Sequence, residues 1–68
     1  MHSMDQYDII GAGEGRWDVQ LRGSLSVVGY VWRTGAGFIA WDWADRQVGV
    51  FESLPRAVGA LGAFAAAS

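Results

Sequence analysis

The chain has 68 residues, of which 51% are hydrophobic and 18% are charged, and its formal net charge is −2. This length excludes large nucleotide-binding or barrel enzymes and fits one small domain, and the apolar composition excludes a disordered chain. With no Cys and a single His, disulfides, thiolate chemistry and a structural zinc site of four Cys/His ligands are also excluded.

The charge and the N-terminal sequence bear on partners and location. Nucleic-acid modules are usually basic because they neutralise phosphates, so the acidic balance disfavours this role. The opening MHSMDQYD is polar and acidic, unlike a signal peptide. The longest apolar run, Ala57–Ala67, would reach about 16 Å as a helix, whereas a bilayer core needs about 30 Å. We therefore expect a cytoplasmic protein that does not associate with membranes.

Residues 1–15 contain Gly11, Gly13 and Gly15 and few apolar positions, so we predict a flexible lead-in with at most a short strand over Tyr7–Ile10. The segment YDIIGAGEG looks like the strand and first two glycines of a flavin or nicotinamide fingerprint. That chemistry needs a third glycine and a helix, but Arg16 stands at that place and a strand pattern follows. No cofactor is therefore predicted, and the glycines are interpreted as a linker.

Two strands are predicted next. Apolar and polar residues alternate over Arg16–Arg22, which is typical of a half-buried strand. Gly23-Ser24 fits a two-residue hairpin turn. The second strand, Leu25–Arg33, is apolar on both faces, which is unusual for a small antiparallel sheet with one face in water.

A loop over residues 34–37 leads to a third strand, Phe38–Trp43, and a turn over 44–47 leads to a fourth, Val48–Phe51. Ser53 has the place of a helix N-cap and Pro55 that of the first turn, so a helix should run from Leu54 to Phe64 or beyond. After Arg56 this helix carries no polar side chain before Ser68. The predicted fold is α+β, a small antiparallel sheet of three to four strands packed on one C-terminal helix, as a single domain over 16–68. The apolar stripe of the helix comprises Leu54, Ala57, Val58, Leu61 and Phe64 or Ala65.

Catalytic groups are sparse. Asp42 and Asp45 could form a general acid–base pair, but Asp is favoured in turns, where it bonds backbone amides, and we favour the turn interpretation. The serines have only His2 as an imidazole partner. We therefore predict a protein that is not an enzyme.

Aromatic residues are the most informative feature. Tyr30 and Trp32 share one face of the second strand, and Trp41 and Trp43 share one face of the third. If the helix covers the opposite face, these four residues form an exposed interaction surface. Alternatively, the helix or the N-terminal segment covers them and they belong to the core. An exposed surface could bind a second copy, another protein or nucleic acid.

Three segments carry a resemblance to a known family. They are Gly37-Phe38-Ile39-Ala40, Val48–Leu54, and Ala57 with Ala60. Together they resemble the AP2/integrase amino-terminal type of DNA-binding domain, in which a three-stranded sheet packs on one helix. The family's last strand reads roughly Leu-Gly-Thr-Phe before a helix capped by Thr or Ser. The resemblance, placed within about residues 29–65, implies DNA contacts from Arg and Trp on the open side of the sheet.

Only Arg33 keeps an Arg at such a place, whereas Val31, Gly37 and Trp43 occupy further basic positions of the family. Arg33 and Arg46 are the candidate nucleic-acid contacts, although surface pairing with carboxylates is the simpler interpretation of the arginines. The leading prediction is a small interaction module that forms a homodimer through the aromatic sheet face, the apolar helix or both. The alternative is a DNA-binding accessory protein of phage or mobile-element type.

Overall fold

The computed structural model describes residues 6–67, and the side chains of residues 6–63. The strands follow one another in the sheet, and each pairs antiparallel with the next. The helix packs against the last three strands. An α+β fold with one sheet and one helix is therefore confirmed, but the sheet has five strands instead of three or four. The elements are β1 (Tyr7–Gly13), β2 (Arg16–Leu21), β3 (Val27–Thr34), β4 (Gly37–Asp42), β5 (Gln47–Phe51) and α1 (Leu54–Ala67).

The additional strand is β1, which lies within the segment predicted as a flexible lead-in. Its Tyr7 and Ile9 pair with Leu21 and Val19 of β2. Gly13 (φ 143°) and Gly15 (φ 71°) adopt backbone conformations that favour glycine, and they form the hairpin between β1 and β2. These glycines therefore serve a turn, and the interpretation as a linker is wrong for this part. Residues 1–5 of the predicted lead-in lie outside the described residues.

The connection between β2 and β3 also differs from the prediction. It is a loop over residues 22–26, not a two-residue turn at Gly23-Ser24. Gly23 has a φ of 75°, and the Ser24 hydroxyl accepts a hydrogen bond from the Ser26 N–H at 2.9 Å. β3 begins at Val27, two residues later than predicted, because Leu25 and Ser26 belong to this loop. Val28 of β3 forms a bulge, since the register shifts by one residue between Val19 and Gln20.

The helix begins as predicted. The Arg56 N–H donates to the Ser53 hydroxyl at 3.2 Å, which confirms Ser53 as the N-cap. The side chain of Phe64, predicted for the apolar stripe, lies outside the described side chains. No helix in the described part of the chain is long and apolar enough to cross a membrane. The fully buried apolar residues between α1 and the sheet are Val19, Val31, Ala40, Ala57, Val58 and Leu61.

A glycine on β3 lets the helix approach the sheet. Gly29 is buried beneath α1, and a Cβ built on it would lie 2.8 Å from Leu61 Cδ2 and against the carbonyl oxygen of Trp41. Any larger residue would therefore displace Leu61 or the neighbouring strand. This contact fixes α1 on the face of the sheet that carries Val31 and Ala40, and it leaves the aromatic face on the other side.

Candidate functional site

The candidate site is the sheet face opposite α1, here named the open face. Side chains alternate between the two faces along a strand, so the neighbours of the buried Val31 and Ala40 point away from the helix. The pairing of the strands arranges these residues in two adjacent cross-strand rows. The Arg16 row comprises Arg16, Trp32, Ile39 and Val50, and the Asp18 row comprises Ile10, Asp18, Tyr30, Trp41 and Gln47.

Three rings at the centre of the open face form the aromatic cluster: Tyr30, Trp32 and Trp41. Their centroids are separated by 5.9 Å (Tyr30–Trp32), 5.6 Å (Trp32–Trp41) and 6.4 Å (Tyr30–Trp41). These spacings are typical of favourable aromatic pairs. Trp32 remains 36% exposed. The predicted meeting of rings across β3 and β4 is therefore confirmed for three of the four residues.

The Trp41 indole is held by packing alone. Its Nε1 is buried and has no hydrogen-bond acceptor among the described residues. A buried donor without an acceptor costs about 1–3 kcal/mol. The contacts of the ring with Tyr30 and Trp32 must offset this cost. Trp41 is the more buried of the two Trp rings in the cluster, and Trp32 is the more exposed.

Trp43 does not belong to the aromatic cluster. β4 ends at Asp42, one residue before the predicted end of the strand, and Trp43 lies in the turn between β4 and β5. Its side chain is 72% exposed. The strand alternation that would place Trp41 and Trp43 on one face therefore stops before Trp43, and the role of Trp43 in an interaction stays a prediction.

Asp42 ends β4 and organises that turn. The carboxylate is 1% exposed, and its Oδ1 accepts hydrogen bonds from the Ala44 and Arg46 N–H groups, both at 2.9 Å. Its Oδ2 accepts from Arg46 Nε at 3.1 Å. The Arg46 N–H, helped by the Ala44 N–H and the guanidinium charge, lowers the pKa of Asp42 although burial opposes this. The predicted turn role of Asp42 is confirmed.

Asp45 joins the same turn to the aromatic cluster. It has a φ of 65°, a left-handed conformation that Asp tolerates in turns. Its Oδ1 accepts a hydrogen bond from the Tyr30 hydroxyl. This hydrogen bond raises the pKa of Tyr30, and burial and the charges of Asp45 and Asp42 act in the same direction. Asp42 and Asp45 thus have separate structural partners, the turn backbone and Tyr30.

Two opposite charges flank the aromatic cluster on β2. The Arg16 guanidinium lies 4.9 Å from the centroid of the Trp32 ring, in a cation–π arrangement. Asp18 occupies the same strand two residues further, beside Tyr30. The alternation over Arg16–Arg22 correctly predicts Arg16 and Asp18 on one face of the strand, but their partners across the sheet could not be predicted without the register.

The two arginines predicted to contact nucleic acid are not brought to the aromatic cluster. Arg33 follows Val31 in the alternation of β3 and pairs with Phe38, so it belongs to the helix side of the sheet. Arg46 lies at the opposite end, bound to Asp42. Arg22 lies 3.8 Å from Asp8. Surface pairing is therefore found for Arg22 and Arg46.

Comparison with known proteins gives no match to a family model, a curated protein or a solved structure at a significant level. The resemblance of the β4–α1 region to AP2/integrase-type domains stays a prediction. The geometry and charge of the open face are therefore the features that bear on function.

Proposed function

We propose that this protein is a small, non-enzymatic interaction module that self-associates through its open face. The observation that carries the proposal is the aromatic cluster, which lies on the face opposite α1 and keeps Trp32 36% exposed. Exposed apolar patches of this kind mark interaction sites in soluble proteins. Trp and Tyr are also the residues that most often dominate the energetics of protein interfaces.

The small core supports self-association. A domain of this size buries only about 60% of the surface of its unfolded chain, and its core rarely supplies more than about 3–5 kcal/mol. Here the fully buried apolar side chains between sheet and helix are Val, Ala and Leu, whereas two of the four Trp residues lie on the open face. A second layer over that face would remove Trp32 and its neighbouring rings from water.

The charges of the open face favour a protein partner over nucleic acid. The positive charge of Arg16 is balanced there by the negative charge of Asp18 on the same strand. At one edge of the cluster, Asp45 accepts a hydrogen bond from the Tyr30 hydroxyl. The net charge of the chain is −2. Nucleic-acid binding draws its affinity from basic residues that displace counterions. The DNA-binding alternative therefore has less support.

The experiment compares two matched Trp substitutions by analytical ultracentrifugation. Trp32→Ala removes an exposed ring from the open face, and Trp43→Ala removes an exposed ring from the β4–β5 turn. We expect Trp32→Ala to weaken self-association on the order of 30-fold or more, as for an interface hot spot. Trp43→Ala should have little effect. Far-UV circular dichroism would show whether both variants keep the wild-type fold.

Equal effects of the two substitutions would contradict the assignment of the open face as the interface. A titration of fluorescein-labelled duplex DNA at low salt, followed by anisotropy, tests the alternative. Tight binding that weakens steeply with added salt and depends on Trp32 would replace self-association by DNA binding as the function of this face.

A further inference from the structure

We infer that the partner on the open face is a second copy related by a two-fold axis that crosses the strands between the Arg16 row and the Asp18 row. This inference rests on the self-association proposed above and specifies its geometry. The two copies would form a sandwich in which each row of one sheet faces the other row of its partner. Face-to-face sheets pack about 10 Å apart, and their strand directions stay within about 30°.

On β2, β3 and β4, each residue of one row is complementary in charge or polarity to the residue of the other row on the same strand. Arg16 and Asp18 occupy β2, Trp32 and Tyr30 occupy β3, and Ile39 and Trp41 occupy β4. A two-fold axis between the rows exchanges the two members of each pair. Trp32 then packs on Tyr30 of the second copy, and Ile39 packs on Trp41. Apolar groups thus meet apolar groups at the centre, as a two-fold interface requires.

The same operation matches the charges. Arg16 of one copy lies opposite Asp18 of the other, and the symmetry produces this contact twice. The Arg16 guanidinium already lies at the edge of the aromatic cluster, 4.9 Å from the Trp32 ring centroid. It therefore needs little rearrangement to reach a carboxylate above that ring. Opposite charges at the rim of an apolar patch fix the register of an interface and accelerate association.

A different two-fold axis would give a less favourable arrangement of the charges of Arg16 and Asp18. A two-fold axis that runs along the strands between β3 and β4 would place Arg16 opposite Val50, which pairs with Ile39 at the far side of its row. Asp18 would lie opposite Gln47 of β5, which pairs with Trp41 and offers only a neutral amide. Arg16 would then lose water without gaining a partner, and Asp18 would gain no opposite charge, which is costly. The charge pattern therefore selects the axis that crosses the strands.

Complementary charge reversal tests this geometry. Arg16→Glu alone places two carboxylates together in each contact, and Asp18→Arg alone places two guanidinium groups together. We expect each single variant to raise the dissociation constant of the homodimer on the order of tenfold or more. An equimolar mixture of the two variants restores opposite charges in both contacts. The mixture should form a heterodimer, detectable by native mass spectrometry with one variant isotope-labelled.

Matched controls reverse exposed charges away from the open face. Arg56→Glu and Glu52→Arg carry the same charge changes near the start of α1, and neither should alter self-association or favour a mixed dimer. The double variant Arg16→Glu with Asp18→Arg on one chain should regain the homodimer. If the wild type is dimeric but the single reversals leave it unchanged, the proposed axis is wrong while self-association stands. A wild type that stays monomeric overturns both proposals.

Discussion

Asp42 shows how one buried carboxylate can end a strand. Its two oxygens bind the backbone of residues 44 and 46 and the Arg46 side chain. These bonds favour the ionised carboxylate and lower its pKa despite burial. They also hold the chain in the turn that contains Trp43, so that Trp43 is not part of the sheet. The preceding acidic residue thus determines where the Trp43 side chain lies.

The lowered pKa of Asp42 predicts acid sensitivity. Because the pKa is lower in the folded chain than its unfolded value of about 4, the stabilisation is complete above that pH and is lost as pH falls through the folded pKa. Asp42→Asn should therefore be less stable than the wild type at pH 7, and the difference should shrink toward pH 2. Urea unfolding followed by Trp fluorescence measures both quantities.

Glu52→Gln, at an exposed position before α1, is the matched control for that substitution and should leave the stability near the wild-type value at pH 7. A difference between Asp42→Asn and the wild type that persists unchanged from pH 7 to pH 2 would mean that the charge of Asp42 is not the stabilising factor.

At the scale of elements, α1 is joined to the sheet through small residues. Gly62 faces β1, where a Cβ would lie 3.0 Å from both Cε2 and the hydroxyl oxygen of Tyr7. A Cβ on Gly59 would meet no atom of the described residues within 4 Å. The sequence alone does not distinguish the two helix glycines. Only Gly62 has a packing role, because the Tyr7 ring of the edge strand β1 lies against it.

Replacing each glycine separately tests this difference. Gly59→Ala should stabilise the protein by about 1 kcal/mol, because Ala has the higher helix propensity. Gly62→Ala gains the same propensity but must push the Tyr7 ring aside, so its net gain should be smaller or negative. Thermal or urea unfolding compares the two. An equal gain at both positions would show that Tyr7 does not pack on α1.

The elements were predictable where their patterns were strong. Strict alternation marked β2, and the Ser53 cap with its apolar stripe marked α1. β1 was not recognised as a full strand because its glycines match both a linker and a bulged hairpin, and only the pairing of Ile9 with Val19 decides between them. The loop over residues 22–26 was missed because Leu25 continues the apolar pattern of β3, and the bulge at Val28 of β3 shifts the register, which residue type does not reveal.

At the scale of the whole molecule, the choice of the covered face was not predicted, because β3 and β4 are apolar on both sides. Gly29 indicates which face of the sheet the helix covers. α1 approaches β3 so closely at Gly29 that a Cβ would meet Leu61, and Gly29 shares its face with Val31 and Ala40. Tyr30, Trp32 and Trp41 were correctly grouped. Arg33 was placed on the open face by the family resemblance, although its alternation with Val31 already indicated the helix side.

The fully buried residues beneath α1 are small or aliphatic, with Trp17, Phe38 and Phe51 partly buried around them, and a separate cluster of rings lies on the opposite face. Fully buried Val, Ala and Leu fill the space beneath α1, and the aromatic cluster with Arg16 and Asp18 lies where a second layer can cover it. The central claim is that this second layer is another copy of the chain.

The most direct test is the mass of the wild-type protein in solution, measured by size-exclusion chromatography with light scattering over a concentration series. We predict a mass near twice the 7.3 kDa of the chain, falling toward the monomer value only on dilution. A mass of one chain at every concentration, up to the millimolar range, would contradict self-association through the open face.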